Sequence, residues 1–418
     1  MKIAQVIGRE IFDSRGIPTI ECDLFLEDGS FVTASVPSGA SRSGYEAVEL
    51  RDGGERLMGQ GVLKAIENLQ TIIAPVLIGQ EPDVITLDSC MIELDGTENK
   101  SRLGANAILA ASIAVCKAQA MVNDLHVYEL IAHLCEQESV AIPFNMFNVL
   151  NGGVHGGSNI AVQECMIIPT RATTFRESLE QAMTISHTLK AILIKKGKTV
   201  AVGDEGGFAP LCVDLYEALD LIMEAIHQAP VDSSSIVLAL DIAASQFYDT
   251  SKQTYAWGDR HIGSQELIQV YKQLCERYPI YSIEDGLAEI DYSGWKNMMV
   301  ALGEDIHLVG DDIFSTNMGH IERGIKEGFA DAVIIKPNQI GTVKETLQTI
   351  LFCKGNELSP ILSHRSGETN DDFLADLAVG ASAGLLKAGG CSRGERMAKY
   401  NRLLQIEDDL LFSMFDNK

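Results

Sequence analysis

Two periodicities divide the chain. From Ile3 to Val36 apolar and polar positions alternate, as in Thr19-Ile20-Glu21-Cys22-Asp23-Leu24-Phe25-Leu26, and Glu27-Asp28-Gly29-Ser30 supplies a turn, so this stretch predicts an antiparallel meander. From Val62 to Ile78, and again from Ala105 to Cys135, apolar residues recur at helical spacing. Strands followed by segregated helices predict an α+β unit. The most apolar stretch, Ile108 to Met121, is interrupted by Lys117 and is shorter than the roughly 20 residues of a bilayer span, so it reads as a buried helix. A polar break at Glu136-Gln137-Glu138-Ser139 separates an N-terminal α+β capping domain, residues 1–136, from a second domain, residues 137–418.

In the second domain, short apolar runs end in a charged or polar residue and are followed by helical periodicity. Ile236 to Leu240 ends at Asp241, Tyr281-Ser282-Ile283 at Glu284, and His307 to Gly310 at Asp311. Ala332 to Ile335 ends at Lys336, Ile361-Leu362-Ser363 at His364-Arg365-Ser366, and Leu385-Leu386 at Lys387. A (β/α)8-type barrel uses about 30 residues per strand-helix unit and about 250 in all, which matches these intervals. The carboxyl ends of its strands converge on one mouth, so Asp241, Glu284, Asp311, Lys336 and Lys387 are expected to face a common volume. One such residue alone is more often a solvated loop residue or a helix cap; five in the same structural position point to a site.

Composition narrows the chemistry. The formal net charge of −25 argues against nucleic acid or an anionic membrane as a partner, and 46% hydrophobic with 22% charged residues is ordinary for a soluble globular protein. Nine scattered cysteines without a C-x-x-C pair suit neither a zinc site nor a disulfide framework; with no signal-peptide core at Met1-Lys2-Ile3, a cytoplasmic location is expected. Three carboxylates without histidine or cysteine beside them form a hard oxygen donor set suited to magnesium, the bland alternative being pairing with lysine and arginine. Lys336, Lys387, Arg365 and Ser366 at the same mouth suggest an anionic ligand, with the guanidinium suited to a bidentate grip on phosphate or carboxylate. Asp204-Glu205-Gly206-Gly207 puts carboxylates at a bend that alone would count as a turn. The glycine-rich segment 148–157 lacks the ending of a nucleotide loop and reads as a loop carrying His155 over the mouth.

Longer strings carry a resemblance. Leu362-Ser363-His364-Arg365-Ser366-Gly367-Glu368-Thr369 and Ile334-Ile335-Lys336-Pro337-Asn338-Gln339-Ile340-Gly341-Thr342 resemble signatures of the enolases, and Pro37-Ser38-Gly39-Ala40-Ser41, Gln163-Glu164, Asp204-Glu205, Glu284-Asp285 and Asp311-Asp312 follow in that family's order. The resemblance implies an enolase-like barrel and magnesium-dependent interconversion of 2-phosphoglycerate and phosphoenolpyruvate. It assigns Lys336 as base and Glu205 as acid. It also assigns Asp241, Glu284 and Asp311 to one Mg2+, Ser41 to a second, and His155, Gln163, Glu164, His364, Arg365, Ser366 and Lys387 to the substrate. Neighbouring cations are expected to favour the neutral form of Lys336, and burial or Glu164 to keep Glu205 protonated. The resemblance also implies a homo-oligomer, either a dimer or an assembly of dimers. Arg42-Ser43-Gly44, Gly54, Gln246, Gly286 and Ala388 depart from the family's usual pattern. Two other readings stay open: a superfamily dehydratase or racemase acting on an unphosphorylated acid, and a weakly active recruitment protein whose Lys418 engages a lysine-binding partner.

Overall fold

The computed structural model describes residues 1–39, 43–153 and 160–416. Strands β1 (Ile3–Phe12), β2 (Pro18–Leu26) and β3 (Phe31–Ser35) form the expected antiparallel meander in sequential order. The first hairpin is fixed by Asp13, whose Oδ1 accepts the backbone N–H groups of Arg15 (2.8 Å) and Ile17 (2.9 Å). Ile20, Cys22 and Leu24 of β2 are fully enclosed. Three longer helices follow, α1 (Val84–Asp95), α2 (Ala105–Val122) and α3 (Val127–Leu134), and α2 packs across β2 and β3. By length and composition α2 could cross a membrane, but 78% of it is buried within the protein, because its alanines let neighbouring elements approach on every side.

The second domain is a closed eight-stranded barrel. Its strands are β4 (Phe144–Asn151), β5 (Glu164–Pro169), β6 (Ile236–Asp241), β10 (Ile280–Glu284), β11 (His307–Gly310), β12 (Ala332–Ile335), β13 (Ser359–Ser363) and β14 (Leu385–Gly390). A small sheet of β7 (Tyr248–Asp249), β8 (Thr254–Trp257) and β9 (Arg260–Ile262) is inserted after β6. Helices α4 (Phe175–Lys195) and α5 (Leu215–Gln228) both lie between β5 and β6. The later connections carry α6 (Ser264–Arg277), α7 (Tyr292–Leu302), α8 (Met318–Glu327), α9 (Val343–Gly355) and α10 (Phe373–Gly380), and α11 (Gly394–Asp416) follows β14.

One barrel strand runs backwards. β5 pairs antiparallel with both β4 and β6, whereas the other pairings are parallel, so the barrel is not a uniform repeat of strand and helix. The reversal places the start of β5 at the rim where the other strands end, and Glu164 pairs in register with Asp241. Met146, Met166, Ile168, Ala239, Val309, Ala332, Ile334, Ile361 and Leu385 fill the interior as a separate apolar cluster, each large side chain contributing roughly 1.5–3 kcal/mol by burial. The mouth can therefore be polar without costing the barrel its core.

The first domain is tied to this mouth. Ser38 and Gly367 exchange backbone hydrogen bonds of 2.8 and 3.0 Å, and Lys117 pairs with Asp371 at 2.8 Å. Asp88 Oδ2 accepts from Ser112 Oγ at 2.9 Å and from the Lys344 N–H at the start of α9 at 2.8 Å.

Candidate active site

Asp241 and Glu284 are neighbours across the β6–β10 pairing, and Lys387 reaches between them from β14. Its ammonium donates to Asp241 Oδ2 at 2.8 Å and to both Glu284 oxygens at 2.9 Å, and it lies 3.0 Å from Glu164 Oε1. All four groups are buried. Burial alone would lower the pKa of Lys387, but the carboxylates of Asp241, Glu164 and Glu284 outweigh it and hold the amine well above its ordinary value. Glu284 is held well above the carboxylate range by burial and by Asp241 beside it, with Lys387 opposing. Lys387 lies within its strand and not just beyond it, because β14 continues past a register shift to Gly390.

Asp311 follows β11 and Lys336 follows β12, and the two form an ion pair. Burial raises Asp311, but the charges of Lys336, Lys387 and Arg365 carry it below its ordinary value. Lys336 departs from expectation. Burial, Arg365 and Lys387 do favour its neutral form, yet Asp311 and Glu284 overcome them and its pKa is raised. Asp285 turns back from β10 in a left-handed conformation (φ 43°) and accepts the N–H groups of Asp311 and Asp312, each at 2.9 Å. Burial and Asp311 push Asp312 up to about 7.

Glu205 joins the same cavity wall from the Asp204-Glu205-Gly206-Gly207 bend. The Glu205 carbonyl accepts from Gly390 N–H at 2.7 Å, and Gly207 N–H donates to Asn151 Oδ1 at 2.9 Å. Gly206 (φ 93°) allows the bend, and a Cβ on Gly207 would come within 2.7 Å of Asn148 Oδ1. The two glycines thus let the acid-bearing bend sit against β4 and β14. Glu164 and Glu205 present carboxyl oxygens within 4.8 Å of each other, and burial with the neighbouring Glu205 carboxyl holds Glu164 well above its ordinary pKa. His364 completes this group and is kept neutral by burial and the charge of Arg396.

Gln163 donates to Asp241 Oδ2 at 3.2 Å and accepts from Gln246 Nε2 at 2.6 Å. Arg365 pairs with Glu46 of the first domain at 3.0 Å and donates to Asn338 Oδ1 at 3.2 Å. Gln163, Glu164, Glu205, Asp241, Asp311, Lys336, His364, Arg365, Ser366 and Lys387 all line one cavity. Glu284 meets it through Lys387. Ser41, Arg42, His155 and Lys418 lie outside the described residues. Asp285, Asp312, Ser363 and Gln246 also line the cavity without having been singled out as site residues. For Asp285 and Asp312 the acidic doublets Glu284-Asp285 and Asp311-Asp312 were the available signal. For Glu46 there was none, since it follows no barrel strand.

The donor set fits a hard divalent cation. Asp241, Glu284 and Asp311 offer only oxygen, and Asp311 Oδ1 is buried without a hydrogen-bond partner among the described residues. Among the described residues, the metal-capable groups within 4.8 Å of one another are Glu164, Glu205 and His364, and Asp285, Asp311 and Asp312. The expected set of Asp241, Glu284 and Asp311 is therefore drawn together through Lys387 and Lys336, not as a closed cluster of its own. Residues 139–414 match the family model described as the C-terminal TIM barrel domain of enolase, and residues 3–131 match that of the enolase N-terminal domain.

Proposed function

The chain belongs to the enolase superfamily, and from that premise we propose that it catalyses the reversible, Mg2+-dependent dehydration of 2-phospho-D-glycerate to phosphoenolpyruvate. The observation that carries the reading is the placement of Lys336 and Glu205 on one cavity together with an all-oxygen acidic set, Arg365 and Ser366. Held by Asp241, Glu284 and Asp311, Mg2+ supplies positive charge beside the substrate carboxylate, where negative charge grows as the carbon acid ionises.

The chain's own groups divide the remaining tasks. Arg365 grips the phosphate and Ser366 adds a hydroxyl, while the Lys387 ammonium supports the carboxylate. Neutral Lys336 takes the proton from C2, and the electron pair left there is delocalised into the carboxylate as an enediolate. That pair forms the C2–C3 double bond as the C3–O bond breaks, and a proton held by Glu205 passes to the departing hydroxide, giving water. The raised pKa of Lys336 is consistent with this role. Its two opposing influences, Asp311 and Glu284, belong to the cation set, and what remains, burial with Arg365 and Lys387, favours the free amine.

Absorbance of phosphoenolpyruvate formed from 2-phosphoglycerate, with and without Mg2+, tests the proposal beside a panel of unphosphorylated hydroxy acids. Mg2+-dependent turnover of the phosphorylated substrate alone is expected. Turnover restricted to an unphosphorylated acid moves the chain to another superfamily dehydratase. Absence of turnover on every substrate favours the recruitment reading.

A further inference from the structure

One buried cation has no place in that scheme. Arg396, near the start of α11, is wholly enclosed and does not line the cavity. Its Nη1 donates to His364 Nδ1 at 2.6 Å and to the Arg365 carbonyl at 2.7 Å. Its Nη2 donates to the carbonyls of Ser366 at 2.7 Å and Asp204 at 3.0 Å. One planar group thus joins the 364–366 segment to the bend that carries Glu205.

The chemistry of the pair determines the imidazole. A guanidinium has only donors and keeps its charge, so His364 Nδ1 must accept. A protonated ring has no acceptor, and a ring protonated on Nδ1 would set N–H against N–H. The single ring proton therefore sits on Nε2. That nitrogen is buried, has no hydrogen-bond partner among the described residues, and belongs to a residue grouped with Glu164 and Glu205 on the cavity wall.

We propose that Arg396 is a positioning residue that fixes His364 as a neutral Nε2–H donor facing the substrate cavity and holds that donor in register with Glu205. The oxygen it would meet is an acceptor on the ligand beside Glu205, which under the proposed function is the departing C3 hydroxyl. The arrangement has a cost, since an enclosed guanidinium is bound mainly to carbonyls, with Glu395 no nearer than 3.6 Å. A merely structural strap would be served by any donor. A tautomer lock requires one that cannot give up its proton.

Nitrogen-15 NMR of the histidine-labelled full chain, with the His364 signals identified by their loss in His364→Gln, reads the tautomer directly. A pyridine-type Nδ1 and pyrrole-type Nε2 are expected at neutral pH in the unsubstituted protein. A pyrrole-type Nδ1, or two protonated nitrogens, overturns the proposal whether or not any variant folds. In Arg396→Met the ring is expected to sample both tautomers and kcat to fall by about 10-fold or more, with KM for 2-phosphoglycerate changing less than about 3-fold. Arg396→Lys keeps a charged donor and is expected to retain more of the Nε2–H form. A folded Arg396→Met with unchanged tautomer and kcat refutes the lock. This inference rests on the proposed function only for the identity of the ligand, so an unsubstituted protein inactive on 2-phosphoglycerate removes that function while the tautomer result stands.

Discussion

Lys336 sits between influences of opposite sign, which makes its role open to a sharp test. If it is the base, Lys336→Ala abolishes entry of solvent deuterium at C2 of 2-phosphoglycerate, a loss of at least about 10²-fold. Glu205→Gln keeps part of that exchange but loses dehydration, since the amide cannot deliver the proton to the leaving group. Mass spectrometry of recovered substrate distinguishes the two; undiminished exchange in Lys336→Ala removes the base assignment. At Gly286 a departure from the family pattern has a local cause. A Cβ there would lie 3.0 Å from Ile283 Cγ2 and Met298 Sδ and 3.3 Å from the Tyr271 ring, whose hydroxyl donates to the Gly286 carbonyl at 2.7 Å. Gly286→Ala is expected to lower unfolding stability by about 1–3 kcal/mol through overpacking, read from the urea midpoint. An unchanged midpoint would mean that Met298 yields freely.

Elements, more than single residues, account for what the sequence did and did not reveal. The strand-end rule worked for Asp241, Glu284, Asp311 and Lys336 because parallel strands with buried faces leave a visible apolar run that stops at the rim. It gave no placement for Glu164, which begins an antiparallel strand; hydrophobic periodicity carries no direction, so the reversal of β5 was invisible. Glu205 lies on no strand at all and is held by the contacts of its bend with β4 and β14, which pair only in three dimensions. The turn at Asp285 belongs to this scale too, because one side chain accepts from two successive N–H groups that follow β11. Asp285→Ala leaves both N–H groups buried without acceptors, at about 1–3 kcal/mol each. With the support of Asp311 gone, the Mg2+ concentration for half-maximal activity is expected to rise about 10-fold or more. A Mg2+ titration that superimposes on that of the unsubstituted protein would show that the turn does not aim Asp311.

At the scale of the molecule, attachment of the first domain to the barrel is linked to pH through Asp88. This carboxyl is fully buried where α1 and α2 meet the start of α9, and burial pushes its pKa up to about 7, with its bonds from Lys344 N–H and Ser112 opposing. In the unfolded chain it ionises near pH 4. Between those values the folded state holds the proton and the unfolded state does not, so this group's contribution to stability falls as pH rises, by roughly 4 kcal/mol at about 1.4 kcal/mol per pH unit. Asp88→Asn keeps an oxygen for Ser112 and Lys344 and removes the titration. Its stability relative to the unsubstituted protein should be smallest near pH 4, grow up to about pH 7 and level off above it, leaving the variant the more stable at pH 8. Urea unfolding of both proteins at matched pH cancels every other titrating carboxylate in the difference. A pH-independent difference would mean that Asp88 is already ionised in the folded protein, held by the N-terminus of α9 and not tolerated as a neutral acid, and the two domains would then meet across a charge and not across a proton.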